Sequence, residues 1–488
     1  MLTSRTSYIR AMEKAAVAGG TSEWTLMKRA GMGAAEYILK KYPDAFPYVI
    51  LAGGGNNGGD ALVAAQCLYS RNRKVVIYST KEKSAYTGCA AIAVQNLSND
   101  IPFITAGKLE LDYFPSAVIV DGLLGIGFSA EFLRDDAASY IHAVNKSRLP
   151  VISLDLPSGL YADSGFTAGN GAVKACETLT FGRPKPGLFL YNGRHLRGKL
   201  RVIDIGLCDD DPEGMEVFTN IDAAKLISRF PVDCHKNSRG RVAVWAGSPE
   251  YPGAAALCSL AALKSGAGLV RVASTAELSS RVCNAVICEK LSPESVPEKF
   301  LALSDSLVCG CGWGKSAFSA GLTAALNFEG TVVLDADALN HLAANPGLWK
   351  KKRNNIILTP HPGEALRLMN GFGITPASDR RKDAEQLAEK LGAVVVLKGH
   401  DTVVATPERK SVTVAAGNAL LATAGSGDVL AGVIGAVAAS GLSPFEAALS
   451  GVYLHGIAAE SAEKILIADE LPELVSQVMF KLQNNQII

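Results

Sequence analysis

Short apolar runs in this chain repeatedly end in glycine, proline or aspartate and then pass into helix-like stretches. In the first half the runs are PYVILA (47–52), KVVIYS (74–79), SAVIVD (116–121), PVISLDLP (150–157) and KLRVIDIGL (199–207). In the second half they are RVAVWAGS (241–248), LVRVAS (269–274), DSLVCGCG (305–312), TVVLDADALN (331–340), NIILTPHPGE (355–364) and AVVVLKGHD (393–401). Helical stretches such as ALVAAQCLYSR (61–71), AAALCSLAALKSGA (254–267) and SGDVLAGVIGAVAAS (426–440) lie between or after them. Continuous apolar strands alternating with helices predict parallel sheets covered on both faces. Residues 1–40 read as helical, with Leu26, Ala30, Ala34 and Ile38 on one face. A chain of 488 residues has room for about two or three domains. The acidic, turn-rich CDDDPEG (208–214) marks the division, giving α/β domains at 1–215 and 216–488.

Charge and cysteine usage remove several function classes. Lys and Arg number 48 and Asp and Glu 47, a net charge of +1, so no long-range field draws the chain to nucleic acid or an anionic membrane. The most apolar stretch, Val429 to Ser440, falls short of the roughly 20 residues that span a bilayer. No apolar signal core opens the chain. The 10 cysteines include only a lone C-x-C at Cys309 and Cys311, without zinc spacing. A reducing, cytoplasmic setting is expected.

Glycine, 48 of the residues, is concentrated at possible ligand turns. Ala52 to Asp60 reads AGGGNNGGD between a strand and a helix. Asn-Gly also favours a hairpin, but a helix-like stretch follows rather than a strand. Backbone N–H groups at such a turn can approach an anion, and Asn oxygens suit a hard cation. VDGLLGIG (120–127) places Asp121 at a strand end, and DLPSG (155–159) does the same with Asp155, followed by Ser158. Each Asp alone could be a helix cap. Three Gly-flanked strand ends point instead to the crevice where open α/β sheets bind ligands.

In the second half, AGSGD (424–428) opens a helix. It can be a plain cap, or an anion hole formed by Gly425, Ser426 and Gly427 with Asp428 as a base. LKGHDT (397–402) supplies Lys398, His400 and Thr402 as phosphate donors. TPHPGE (359–364) places His361 and Glu364 after another strand.

GNNGGD, VDGLLGIG, DLPSG and the later KPGL resemble the N-terminal, Rossmann-like domain of the NAD(P)H-hydrate repair proteins, which epimerises R and S hydrated NADH or NADPH. The resemblance covers most of residues 1–207. It implies that Asn56, Asn57, Gly58, Gly59 and Asp60, with Gly125, Ile126, Gly127, Phe128, Ser129, Ala130 and Glu131, hold the nucleotide. It further implies that Asp155 contacts the substrate, and that Asn57, Asp121 and Ser158 bind K⁺. Ala61 stands where that family commonly has Gly. Gly-x-Gly-Asp at a helix start resembles the ribokinase-like kinases. HKNSRGRV (235–242), AGS-x-x-Y-x-GAAAL (246–257), GAGLV (266–270), LDADALN (334–340), TPHPGE, LKGHDT and GNALLATAGSGDVLAG (417–432) narrow this to the hydrate dehydratase domain. Ala246 replaces a usual Gly there.

This second resemblance implies ADP at Lys398, Gly399, His400, Asp401, Thr402 and the Gly425–Gly427 turn. ATP is the other nucleotide considered. Gly253 or Ala254, Gly312, His361 and Asp428 would face the hydrated coenzyme. Asp428 is expected to take the substrate's hydroxyl proton and Glu364 to help place Mg²⁺, with Asp155 as acid/base in the first domain. The rival reading is a ribokinase-like vitamin-precursor kinase whose N-domain only binds nucleotide. Small-molecule substrates and a homo-oligomer are expected, without nucleic acid or membrane.

Overall fold

The computed structural model describes the chain except for residues 106, 208–210, 293–294, 315–318, 351–353, 378, 485 and 487–488, and the side chain of Ser319. The Cys208–Asp210 part of the expected boundary therefore lies outside the described residues. Two compact units form: Leu2–Met215 and, with Met1, Glu216–Ile488. Both are α/β.

The first unit is built on a seven-stranded parallel sheet. Its strands run, edge to edge, Phe103–Thr105, Val75–Ser79, Tyr48–Ala52, Val118–Gly122, Val151–Leu154, Glu177–Phe181 and Lys199–Ile203. The order reverses between Tyr48–Ala52 and Val118–Gly122, which opens a crevice at the strands' carboxyl ends. Alternation along Tyr48–Ala52 sends Tyr48, Ile50 and Ala52 to one face and Val49 and Leu51 to the other. Helices Glu23–Lys41 and Asn56–Tyr69 cover the first face, and Leu26, Ala30, Ala34 and Ile38 are buried as their spacing predicts. Helix Asp135–Lys146 covers the second with Tyr140, Ile141 and Val144.

Glu177–Phe181 escaped the sequence reading because ETLTF carries no apolar run. Only Leu179 and Phe181 join the apolar core, and polar residues buried beside them break the run. Tyr37 Oη donates to Glu177 Oε1 at 2.6 Å and Thr178 Oγ1 donates to the Arg197 carbonyl at 2.7 Å.

In the second unit, parallel strands Leu269–Ser274, Arg241–Trp245, Ser306–Cys309, Thr331–Leu334, Ile356–Leu358 and Val394–Leu397 lie side by side. An antiparallel pair, Val403–Thr406 and Arg409–Val414, continues the sheet. Helix Ser426–Ala439 is apolar all round and buried from Val429 to Ala438, as a central core helix must be. It packs closely on helix Pro252–Lys264: a Cβ on Gly432 would lie 2.2 Å from the Cys258 carbonyl oxygen. No described helix is long and apolar enough to cross a membrane.

Two candidate active sites

The first unit holds a cleft of about 890 Å³ at its sheet's switch point. Asn56, Asn57, Asp60, Gly125–Ala130 and Asp155 line it, so three of the glycine-bearing turns meet in one place. Gly58, Gly59 and Glu131 do not. The two glycines serve packing: a Cβ would lie 1.8 Å from the Gly53 carbonyl oxygen at Gly58 and 2.5 Å from Met27 Cε at Gly59. The Glu131 carbonyl accepts the Gly169 N–H at 2.8 Å. Ala61 is fully buried, and its Cβ is 2.5 Å from where a Cβ on Gly122 would stand. The methyl group thus occupies room that Gly122 leaves open.

Asp121, Ser158 and Asn57 form one buried network. Asp121 Oδ1 accepts Ser158 Oγ at 2.6 Å, and its Oδ2 accepts Ser153 Oγ at 2.7 Å and the Ser158 N–H at 3.0 Å. Burial still holds the Asp121 carboxyl above its ordinary value, against these bonds. Asn57 Nδ2 donates to the Leu124 and Leu154 carbonyls at 2.8 and 3.0 Å. Two carbonyls on that side fix which end of the amide is nitrogen. Asn57 Oδ1 is then left buried with no protein partner.

Asp155 sits just past strand Val151–Leu154 with φ of 63°, a left-handed conformation costing a non-glycine residue about 1 kcal/mol. Lys185 Nζ, 1 % exposed as a residue, donates to Asp155 Oδ1. Glu13 and Asp60 line the same cleft. Burial, then Asp155, pushes both carboxyls up, well up for Asp60, while Lys185 pulls them down. Lys185 and Glu13 were not among the expected site residues. KPGL was the only signal for Lys185.

The second unit holds a cleft of about 600 Å³ lined by Ala254, Gly312 and Asp428, together with Tyr251, Gly314, Asp337, Asn340, His341 and Ala344. Gly312 has φ of 59°, and a Cβ there would meet Ala254 Cβ at 2.8 Å. Gly253 and His361 are not among the lining residues. Gly253 is exposed in the first turn of Pro252–Lys264. His361 caps helix Pro362–Gly371: its Nδ1 accepts the Gly363 N–H at 3.0 Å, and its own N–H donates to Glu364 Oε2 at 2.8 Å.

AGSGD and LKGHDT come together. Gly425, at φ of 88°, caps Ser426–Ala439, and a Cβ on Gly427 would lie 3.5 Å from Lys398 Nζ. Ser426 Oγ donates to the Leu421 carbonyl at 2.8 Å, while the Ser426 carbonyl meets His455 Nε2 at 2.9 Å. Burial lowers the pKa of His455 to about 4, so the ring is neutral near pH 7 and donates this bond. Beyond Lys398, Thr402 Oγ1 donates to the Gly399 carbonyl at 3.1 Å, and His400 Nδ1 lies 3.0 Å from Asp401 Oδ1.

Lys398 is anchored at one of its three N–H groups. Its ammonium donates to Asp335 Oδ1 at 2.7 Å and lies 4.0 Å from Glu364 Oε2. Burial pulls Lys398 down, but Asp335 and Glu364 outweigh it and the ammonium stands above its ordinary pKa. Glu364 is raised by burial despite Lys398. Asp428 is pushed up to about 6, first by burial and then by Asp335, with Cys311 and Lys398 opposing. Cys311, Asp335 and Asp428 each place one donor atom within 4.8 Å of the others. Asp335 and Cys311 escaped the sequence reading of the site, although LDADALN and DSLVCGCG contain them.

Residues 242–479 match the family described as NAD(P)H-hydrate dehydratase, and residues 23–187 match the YjeF-related protein N-terminus. A bifunctional NAD(P)H-hydrate repair enzyme of Coxiella burnetii is 36% identical over 479 residues, spanning 95% of this chain and 96% of its own. The chain belongs to this family. The Escherichia coli K12 relative of the same name is 36% identical over 466 residues, covering 92% of this chain and 87% of its own. A solved ADP/ATP-dependent NAD(P)H-hydrate dehydratase from Bacillus subtilis, co-crystallised with ATP and Mg²⁺, is 27% identical, with a TM-score of 0.44. It covers 55% of this chain and 99% of its own. Each of the two family matches contains most of one cleft's lining residues.

Proposed function

We propose that residues 1–215 interconvert the R and S forms of hydrated NADH and NADPH. Residues 216–488 dehydrate the S form, with ADP giving AMP and phosphate. The observation that carries this reading is the presence, in one chain, of both family matches, each over a cleft with a carboxylate at a glycine turn, Asp155 buried and Asp428 half-buried.

Hydration places a hydroxyl on the nicotinamide ring, and hydroxide leaves poorly. Phosphorylating that oxygen makes a leaving group that the ring nitrogen's lone pair can expel. Asp428 suits the proton-accepting role, because a carboxyl near 6 is mostly ionised at pH 7 yet basic enough to share a proton. The Gly425–Gly427 amides, at a helix start, would meet the transferred phosphate. ADP is the chosen donor because the fused layout resembles the bacterial repair enzymes. In the first unit, Asp155 would protonate the hydroxyl, which leaves as water as the ring nitrogen's lone pair forms an iminium; water then adds to the other face and returns its proton to Asp155.

Asn57 Oδ1, an oxygen with no partner in a buried polar network, fits K⁺, with Asp121 and Ser158 beside it. Bound K⁺ would neutralise coenzyme phosphate and hold the turns together. For Mg²⁺, Glu364 would help place the ion, its Oε2 accepting the His361 N–H at 2.8 Å, with the nucleotide's own phosphates completing the set. Bound Mg²⁺ would offset charge on those phosphates.

The test is a defined R/S mixture of hydrated NADH with ADP, Mg²⁺ and K⁺. Complete return of the reduced-ring absorbance, with AMP and phosphate formed, is expected. Withholding K⁺ should slow interconversion more than dehydration. Recovery that stops with the R form untouched rejects the epimerase half; no recovery at all rejects the dehydratase half.

A further inference from the structure

We propose that Lys185 is the positioning residue for Asp155 in the interconversion assigned to the first unit, and the inference rests on that assignment. Three donors meet on Asp155 Oδ1: Lys185 Nζ, the Phe181 N–H at 3.3 Å and Thr180 Oγ1 at 3.4 Å. Among the described residues no donor is placed on Oδ2. The carboxylate is therefore pinned through one oxygen, leaving the other for the substrate hydroxyl.

The ammonium is itself held on three sides. Besides Asp155 it donates to Thr180 Oγ1 at 3.2 Å and to the Phe181 carbonyl at 3.1 Å, so its three N–H groups are all used. Its backbone is anchored too. The Gly187 N–H donates to the Ala162 carbonyl at 2.6 Å, and a Cβ on Gly187 would lie 2.2 Å from the Tyr161 carbonyl oxygen. KPGL thus fits only where it is, against the segment that follows Asp155.

An ion pair this deeply buried is not needed for packing, because apolar residues of similar volume would serve stability as well or better. This one borders the cleft, with both partners in its lining, and holds an aspartate whose backbone is already left-handed. A charge placed so orients a carboxylate that must move a proton, and misplacing that group by about 1 Å costs on the order of 10²-fold in rate.

The experiment uses the full chain with K⁺ present and compares Lys185→Met and Lys185→Ala with wild type. Epimer interconversion is the readout, and dehydration of S hydrate by the second unit checks integrity. Lys185→Met should lose at least ~10²-fold in kcat with KM within about three-fold, since Lys185 holds Asp155 rather than the coenzyme. In Lys185→Ala, added propylammonium should restore interconversion by about ten-fold or more, which a merely structural lysine would not allow. Interconversion above about a tenth of wild type in Lys185→Met overturns the proposal. Should that variant fail to fold, the amine arm decides, and no recovery there overturns it. A wild-type chain that dehydrates but does not interconvert overturns the epimerase assignment and this inference with it, an outcome distinct from active wild type with active variants.

Discussion

The two units put a carboxylate beside a lysine in opposite ways. In the first, Lys185 sits directly on Asp155, the aspartate assigned to the proposed chemistry. In the second, Lys398 sits on Asp335 instead, and Asp428 is left beside the Asp335 charge with its pKa near 6. The same residue types therefore do different work. On the proposed roles, an ammonium on the reacting carboxylate would orient it, and one on its neighbour would support the site while leaving the reacting group poised for proton transfer. Each unit also has a left-handed non-glycine residue just past a strand, Asp155 with φ 63° in the first and Ala336 with φ 49° in the second. Ala336 follows Asp335, so in each unit the strained turn belongs to the carboxylate the lysine holds.

The largest expected effect tests the reacting group of the second cleft. Asp428→Asn should lower dehydration at least ~10²-fold while leaving interconversion unchanged. Wild-type dehydration, followed as kcat/KM, should fall as pH drops through about 6, because Asp428 then takes up the proton it must accept from substrate. A flat profile between neutral and acid pH, or a near-normal Asp428→Asn, would remove Asp428 from the role.

Lys398→Met asks whether the contrast depends on where the cation sits. Without the ammonium, Asp335 is a buried charge without its counter-ion, and unfolding free energy of the second unit should drop by about 3 kcal/mol in urea titration. Lys398 also opposes the rise of Asp428, so the acid limb of dehydration should move above its wild-type position. An unmoved limb would mean that Asp428 does not sense Lys398, and the contrast would reduce to packing.

The smallest effect concerns a turn rather than a charge. Ala61→Gly should cost the first unit about 1–2 kcal/mol through lost helix propensity and a lost buried methyl, read by urea unfolding. Interconversion should stay within about two-fold of wild type. A larger change in rate would show that the Ala61 methyl shapes the cleft and not only the helix.

Local grammar carried much of the architecture. Apolar strands ending in glycine or aspartate, helices with Leu26, Ala30, Ala34 and Ile38 on one side, and AGSGD at a helix start are patterns within a few residues of one another, and the backbone's periodicity makes them readable. The strand Glu177–Phe181 was hidden because its core residues Leu179 and Phe181 alternate with polar ones that are buried too. His361, expected at the substrate, caps a helix in a fashion its flanking prolines did not reveal.

What the chain alone determined was the kind of fold, the family and the turns where chemistry could sit. Which charge answers which was decided only in three dimensions. Lys185 lies 30 residues from Asp155 and Lys398 lies 63 from Asp335. Each pair meets because parallel strands bring distant carboxyl ends to one edge, and over such separations no local spacing records the meeting.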